Sequence, residues 1–281
     1  MTETARSLNA PSPAALFRAL HTPARPLALA NVWDVASARV VEAAGASAIA
    51  TTSAGVAWSL GAPDGDRVSR DLVLAVLARI ASAVAVPVTA DIEGGYGQSP
   101  AEVAETVARV LDAGVVGVNI EDGTRPPRAL ADRIEASREA ARKAGVDLFV
   151  NARTDTYLLG LGDPGTRLRE TRARARTYVD AGADGVFVPG VTDPAVVAEL
   201  AAGLTVPLNV MAGPGAPTVA EFGALGVSRV SLGSGVAQAA YAAARRAALD
   251  LLGTGGYDSL GHAIPYPDLD ALFHAPADTP R

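Results

Sequence analysis

The feature that most constrains this chain is a repeat of pattern rather than of residues. Short apolar, β-branched runs recur at 27–31 (LALAN), 48–53 (AIATTS), 86–91 (VPVTAD), 116–121 (VGVNIE), 147–152 (DLFVNA), 185–189 (GVFVP), 206–211 (VPLNVM) and 228–233 (SRVSLG). Each is followed by a stretch with helical period. In 101–111, Val103, Val107, Val110 and Leu111 fall on one stripe, with Glu102, Glu105 and Arg109 opposite. Before five of the runs stands a glycine, at Gly45, Gly114, Gly145, Gly182 or Gly226, where a left-handed residue ends a helix cheaply. Eight strand–helix units in about 225 residues predict a single α/β domain, a (β/α)8 TIM barrel. An open doubly wound sheet is the alternative, and the regularity of eight units favours closure. The 281 residues then divide into an N-terminal arm (1–15), a barrel (16–252) and a C-terminal extension (253–281) that frays or packs on a neighbouring subunit.

Composition removes whole classes of chemistry. The chain has no cysteine, hence no disulfide, thiolate metal site, iron–sulfur cluster or thiol nucleophile. Its one lysine, Lys143, sits in EAARKAG at a solvated helix end, which disfavours Schiff-base catalysis. The three histidines, His21, His262 and His274, lie near the chain ends and are expected outside the core, against zinc hydrolysis or a Ser–His–Asp triad. A net charge of -6 with scattered arginines argues against nucleic acid as a partner. No run has the roughly 18 apolar residues of a membrane span, and MTETARSLNAPSP lacks the features of a signal peptide, so a cytoplasmic protein is expected. Carboxylates, arginine, hydroxyls and backbone remain, a set that suits a hard cation such as Mg2+.

In such a barrel the site lies at the carboxyl ends of the strands. There the sequence places Asn31 and Asp34, then Thr51, Thr52 and Ser53, then Asp91 and Glu93. Glu121 and Asp122, Asn151, Arg153 and Asp155, Asn209, and Ser231 and Ser234 follow on later strands. Carboxylates crowded on adjacent strands against one arginine repel each other unless a cation lies between them. Asp34, Asp122 and Asp155 also read as helix N-caps. The arginines between Arg167 and Arg176 read as a solvated face. Gly213–Pro214–Gly215 and Gly233–Ser234–Gly235 stand where such barrels cradle phosphate, but tight turns are the better reading of them. Ser53–Ala54–Gly55 offers backbone N–H groups to a carboxylate or oxyanion.

The stretches ANVWDVASARVVEAAGASAIATTSAGVAWSLGAPD, ADIEGGYG, VNIEDG and NARTD, in that order over roughly residues 16–260, resemble the isocitrate lyase/phosphoenolpyruvate mutase superfamily. The resemblance implies a barrel that binds Mg2+ (or Mn2+) and a small 2-oxo acid or dicarboxylate. It also implies a homodimer or homotetramer in which the eighth helix is exchanged. By that resemblance Asp91 contacts the metal, while Asp64, Glu93 and Glu121 hold its waters. Ser53, Ala54 and Gly55 grip the substrate carboxylate and oxo oxygen, Arg153 neutralises the carboxylate, and Asn209 lies near a position that lines the pocket. Asp91, Glu121 and Arg153 are the expected catalytic residues.

The departures narrow the activity. The lyase branch carries a lysine–cysteine–histidine motif on the loop after strand 4, where this chain reads EDGTRPPRALADRIE. The lysine or asparagine of the P–C branches is missing there too, and a pocket histidine after strand 6 is replaced within Val188–Pro189–Gly190. The expectation is a Mg2+-dependent C–C lyase or decarboxylase that acts on a small 2-oxo or dicarboxylic acid through an enolate. Glu121, Glu93 or Tyr96 would serve as base where one is needed. The alternatives are a phosphonopyruvate-type P–C mutase or hydrolase, and a 2-oxo acid binding protein without turnover.

Overall fold

The structure, a computed structural model, describes residues 11–274. The first ten and last seven residues, parts of the expected arm and extension, lie outside the described residues. The first helix, α1 (Pro13–Ala19), starts inside the expected arm because Ser12 caps it, its hydroxyl accepting from the Ala15 N–H at 3.2 Å. Then β1 (Leu27–Leu29), α2 (Val35–Ala43), β2 (Ile49–Ala50), α3 (Ser53–Ser59) and α4 (Arg70–Ala83) follow. Next come β3 (Val88–Asp91), α5 (Pro100–Asp112), β4 (Gly117–Glu121), α6 (Pro127–Ala144), β5 (Phe149–Arg153) and α7 (Arg167–Asp180). The chain continues with β6 (Gly185–Val188), α8 (Pro194–Ala202), β7 (Leu208–Met211), α9 (Val219–Ala224), β8 (Arg229–Ser231) and α10 (Gly235–Gly253). A 3-10 turn at Asp258–Leu260 and α11 (Tyr266–Ala271) end it.

All pairings are parallel, in the order β1-β8-β7-β6-β5-β4-β3-β2. A bridge between Val32 and Thr51 joins the two remaining edges, with the Val32 N–H donating to the Ala50 carbonyl at 2.8 Å. The result is the expected (β/α)8 barrel. The strands form where the apolar runs predicted them, because parallel strands covered by helices are buried on both faces. The five helix-ending glycines all have positive φ, from 68° at Gly145 to 105° at Gly182.

α5 shows how one stripe is set. Ser99 and Glu102 cap it reciprocally, and Val103, Val107, Val110 and Leu111 are buried as the period predicts. α1 closes the amino end of the barrel. Phe17 is fully buried, edge-on to Phe149 at 5.6 Å, and Arg18 pairs with Asp147 at 2.7 Å and Asp184 at 2.8 Å. His21 corrects an expectation. It lies against the core, stacked on Phe149 at 4.1 Å, and burial, aided by the Arg229 charge, lowers its pKa to about 3. Lys143 and His274 are exposed as expected. Among the described residues no helix is long and apolar enough to cross a membrane.

Candidate active site

The carboxyl ends of the strands surround a cavity of about 170 Å3. Ser53, Ala54, Asp64, Asp91 and Arg153 line it, as do Asn31, Thr52, Asn119, Ser231, Gly233 and Ser234. One wall is apolar, formed by Leu158, Phe187, Pro189 and Met211. Gly55, Glu93, Glu121 and Asn209 stand outside this lining.

Asp91 ends β3. Its backbone N–H donates to Thr51 Oγ1 at 2.9 Å, and its carboxylate accepts from Ser53 Oγ at 3.3 Å and the Glu93 N–H at 3.2 Å. Burial raises its pKa against the pull of Arg153, and Asp64 raises it further. The segment after it is bent hard. Glu93 (φ 51°) and Tyr96 (φ 49°) hold left-handed conformations with side chains, of the strained kind that collects at functional sites. Gly95 (φ 99°) fits only as glycine, since a Cβ there would meet Val103 at 2.8 Å. The bend buries the Glu93 carboxylate, which accepts from Tyr96 OH at 2.9 Å and from the Asp66 N–H. Burial pushes Glu93 up to about 7.

Ser53, Ala54 and Gly55 form the first turn of α3, where N–H groups lack helical acceptors and Thr52 supplies no side-chain cap. Gly55 has a packing role, because a Cβ there would lie 2.8 Å from that of Trp33. Arg153, at the end of β5, pairs with Glu121 at 2.8 Å and Asp155 at 2.7 Å. Burial pushes Glu121 up to about 8 despite Arg153, with Asp91, Asp155 and Glu93 repelling it. Asn209 lies one layer deeper than Met211 on β7, its amide spent on Asn151, Ser231 and backbone carbonyls.

Of the three aspartates read as caps, only Asp34 is one, accepting from the Ser37 N–H at 2.7 Å. Asp122 is fully buried and accepts from Tyr178 OH (2.6 Å), Asp155 N–H (2.9 Å), Thr154 Oγ1 and Arg174 Nη1 (both 3.0 Å). Arg174 therefore leaves the solvated arginine face predicted for α7. Asp122 anchors the short β4–α6 connection, whose Arg125 lies against Gly94. Gly215 (φ 85°) and Gly233 (φ 55°) make turns, and Gly233 and Ser234 also reach the cavity.

The donor set fits a divalent cation. Asp64 and Asp91 share the cavity, Glu93 and Glu121 stand behind, and burial with mutual repulsion resists ionisation of Asp91, Glu93 and Glu121 together. Among the described residues no three carboxylates or histidines converge into a complete cage. Two carboxylates in one cavity, Asp64 and Asp91, are a set that a hard divalent cation takes alongside waters.

Comparison with known proteins decides the family. The family model for phosphoenolpyruvate phosphomutase matches residues 17–252. The chain belongs to the isocitrate lyase/phosphoenolpyruvate mutase superfamily. This member is 41% identical to an uncharacterized protein of Mycobacterium tuberculosis over 91% of this chain and 95% of that one. It is 34% identical to an oxaloacetate decarboxylase of Ectopseudomonas mendocina over 84% of this chain and 82% of the relative. The crystal structure of a 2,3-dimethylmalate lyase superposes with a TM-score of 0.82 at 29% identity, covering 93% of this chain and 95% of that one. The superfamily expectation holds, and with it the coarse class: an enzyme of the carbon–carbon lyase and mutase kind.

Sequence reasoning missed Asn119 and Arg229. Both were visible as polar residues at inward positions of otherwise apolar strands, Asn119 alternating with Gly117 and Glu121.

Proposed function

We propose that this superfamily member is a Mg2+-dependent C–C lyase or decarboxylase of a small 2-oxo or dicarboxylic acid. The observation that carries the reading is one cavity lined together by Asp91, Asp64, Ser53 and Arg153. Arg153 faces the substrate carboxylate, and Ser53 with the first turn of α3 donates to the carboxylate and oxo oxygen. Asp91 would hold the cation, and Asp64, Glu93 and Glu121 would accept from waters on it. A divalent cation bound there would withdraw electron density from the oxo group and favour negative charge on its oxygen.

The β4–α6 connection supports decarboxylation as the least demanding case. It spans only residues 122–126, is pinned by Asp122, and has no cysteine, lysine or histidine to act as acid. In decarboxylation the electron pair of the broken bond stays on the oxo-acid fragment, CO2 leaves without a base, and water protonates the product. The relatives' names, an oxaloacetate decarboxylase and a 2,3-dimethylmalate lyase, agree with bond breaking beside a carboxylate. Asp91→Ala is expected to abolish metal-dependent turnover, measured as 2-oxo acid release, with the fold intact by circular dichroism. Undiminished turnover would refute the assignment of Asp91.

The same reading includes a homo-oligomer. Of the 19 residues of α10 only Ala237 is buried, and Leu252 is 83% exposed. Tyr241 touches Trp33 and Trp58 of its own barrel, while the rest of the helix leaves its apolar side chains for a second copy.

A further inference from the structure

We infer that Asn119 is a substrate-binding residue, an amide donor held toward the bound oxo acid by the buried guanidinium of Arg229. The inference rests on the reading given under Proposed function; it gives a role to Asn119, which lies in the VNIEDG stretch but takes none from the resemblance, and to Arg229, which lies outside the quoted stretches. Asn119 pairs in register with Asp91 on one side and Asn151 on the other, so it lines the cavity floor between the strands bearing Asp91 and Arg153. Its Oδ1 accepts from Asn151 Nδ2 at 2.9 Å and from Arg229 Nη2 at 3.2 Å. A guanidinium only donates, so the amide cannot be turned end for end; the oxygen must face Arg229. Among the described residues the Asn119 Nδ2 group donates to no protein acceptor, and it is not among the buried side-chain atoms left without a partner. The cavity is where its two N–H bonds can be used. A donor there meets a carboxylate or oxo oxygen on a floor otherwise rich in carboxylates.

Arg229 explains why the amide stays so. It is 1% exposed, among the largest fully buried side chains, and forms no ion pair among the described residues. Its Nε and Nη1 have no partner, and the ring of Phe17 lies 6.0 Å from its Cζ. An unpaired buried cation is costly, and an apolar side chain would fill the space more stably. Among the described residues the one hydrogen bond of its guanidinium goes to Asn119, and its charge lies beneath the proposed anion-binding floor. Arg229 is therefore a positioning residue.

The test is calorimetric binding of oxalate in the presence of Mg2+, with thermal unfolding alongside, for the full chain and three variants. Asn119→Ala is expected to weaken oxalate about ten- to a hundredfold. Asn119→Asp, which replaces a donor with an acceptor, is expected to weaken it further. Arg229→Met is expected to weaken binding while leaving the melting temperature equal or higher. A purely structural Arg229 would give the reverse, a lower melting temperature with unchanged affinity. Should Arg229→Met not fold, the two Asn119 variants decide the matter. Unchanged affinity in both, with the unaltered protein binding oxalate, overturns this inference and leaves the proposed function standing. Failure of the unaltered protein to bind Mg2+–oxalate overturns the proposed function, and this inference with it.

Discussion

His21 shows how far one residue's behaviour depends on its surroundings. Its Nδ1 lies 2.9 Å from the Phe17 carbonyl, an acceptor only, so Nδ1 carries a proton in either charge state. Folding lowers its pKa from 6.5 to about 3 through burial first and the Arg229 charge second. Between those values the unfolded chain holds a proton that the folded one does not. His21 therefore favours the folded state fully above pH 6.5, and this contribution is lost as pH falls toward 3. The stability difference between the unaltered protein and His21→Phe, from urea unfolding, is expected to fall by about 1 kcal/mol per pH unit below 6.5. A difference independent of pH would contradict the buried, neutral histidine.

Among the elements, the β4–α6 connection separates this chain from superfamily members with a catalytic loop there. Its anchor is Asp122, which accepts four hydrogen bonds, two from Thr154 and Asp155 just after β5 and two from Arg174 and Tyr178 of α7. Asp122→Ala would leave Tyr178 without its acceptor and Arg174 with Glu170 as its remaining carboxylate partner among the described residues, a loss of about 3 kcal/mol in chemical unfolding. Hydrogen exchange in residues 122–126 should quicken with it. A loss below about 1 kcal/mol would mean the connection is held by something else. This element also marks where legibility in the sequence stopped. The eight strands were readable because buried parallel strands are unbroken apolar runs, and Gly45 or Gly182 ended helices by a purely local rule. Asp34 followed the same local capping rule, whereas Asp122 did not, because its partners Arg174 and Tyr178 arrive from 52 and 56 residues away. His21 was misplaced for the same reason: its burial depends on Phe149, across the barrel. Asp91, Arg153 and Ser53 were legible because strand ends converge in any such barrel. Asn119 stood in view inside a strand, where polarity reads as an exception rather than as a site.

At the scale of the whole molecule, the barrel supplies a rigid rim and α10 leaves it. Leu249, Leu251 and Leu252 are 59–83% exposed on that helix, a cost in water that a second copy would remove. Light scattering coupled to size exclusion is expected to give a multiple of the 28.4 kDa chain, and Leu251→Arg with Leu252→Arg to reduce it. A single-chain mass for the unaltered protein would contradict the oligomer. The central claim, a Mg2+-dependent lyase or decarboxylase, is tested most directly by 2-oxo acid release from oxaloacetate, 2-methylisocitrate, a dialkylmalate and phosphonopyruvate. Each is assayed with and without Mg2+ against enzyme-free blanks. The account predicts Mg2+-dependent turnover of a carbon–carbon substrate above the blank, lost in Asp91→Ala. Turnover of phosphonopyruvate alone, or ligand binding with no product from any of the four, would contradict it.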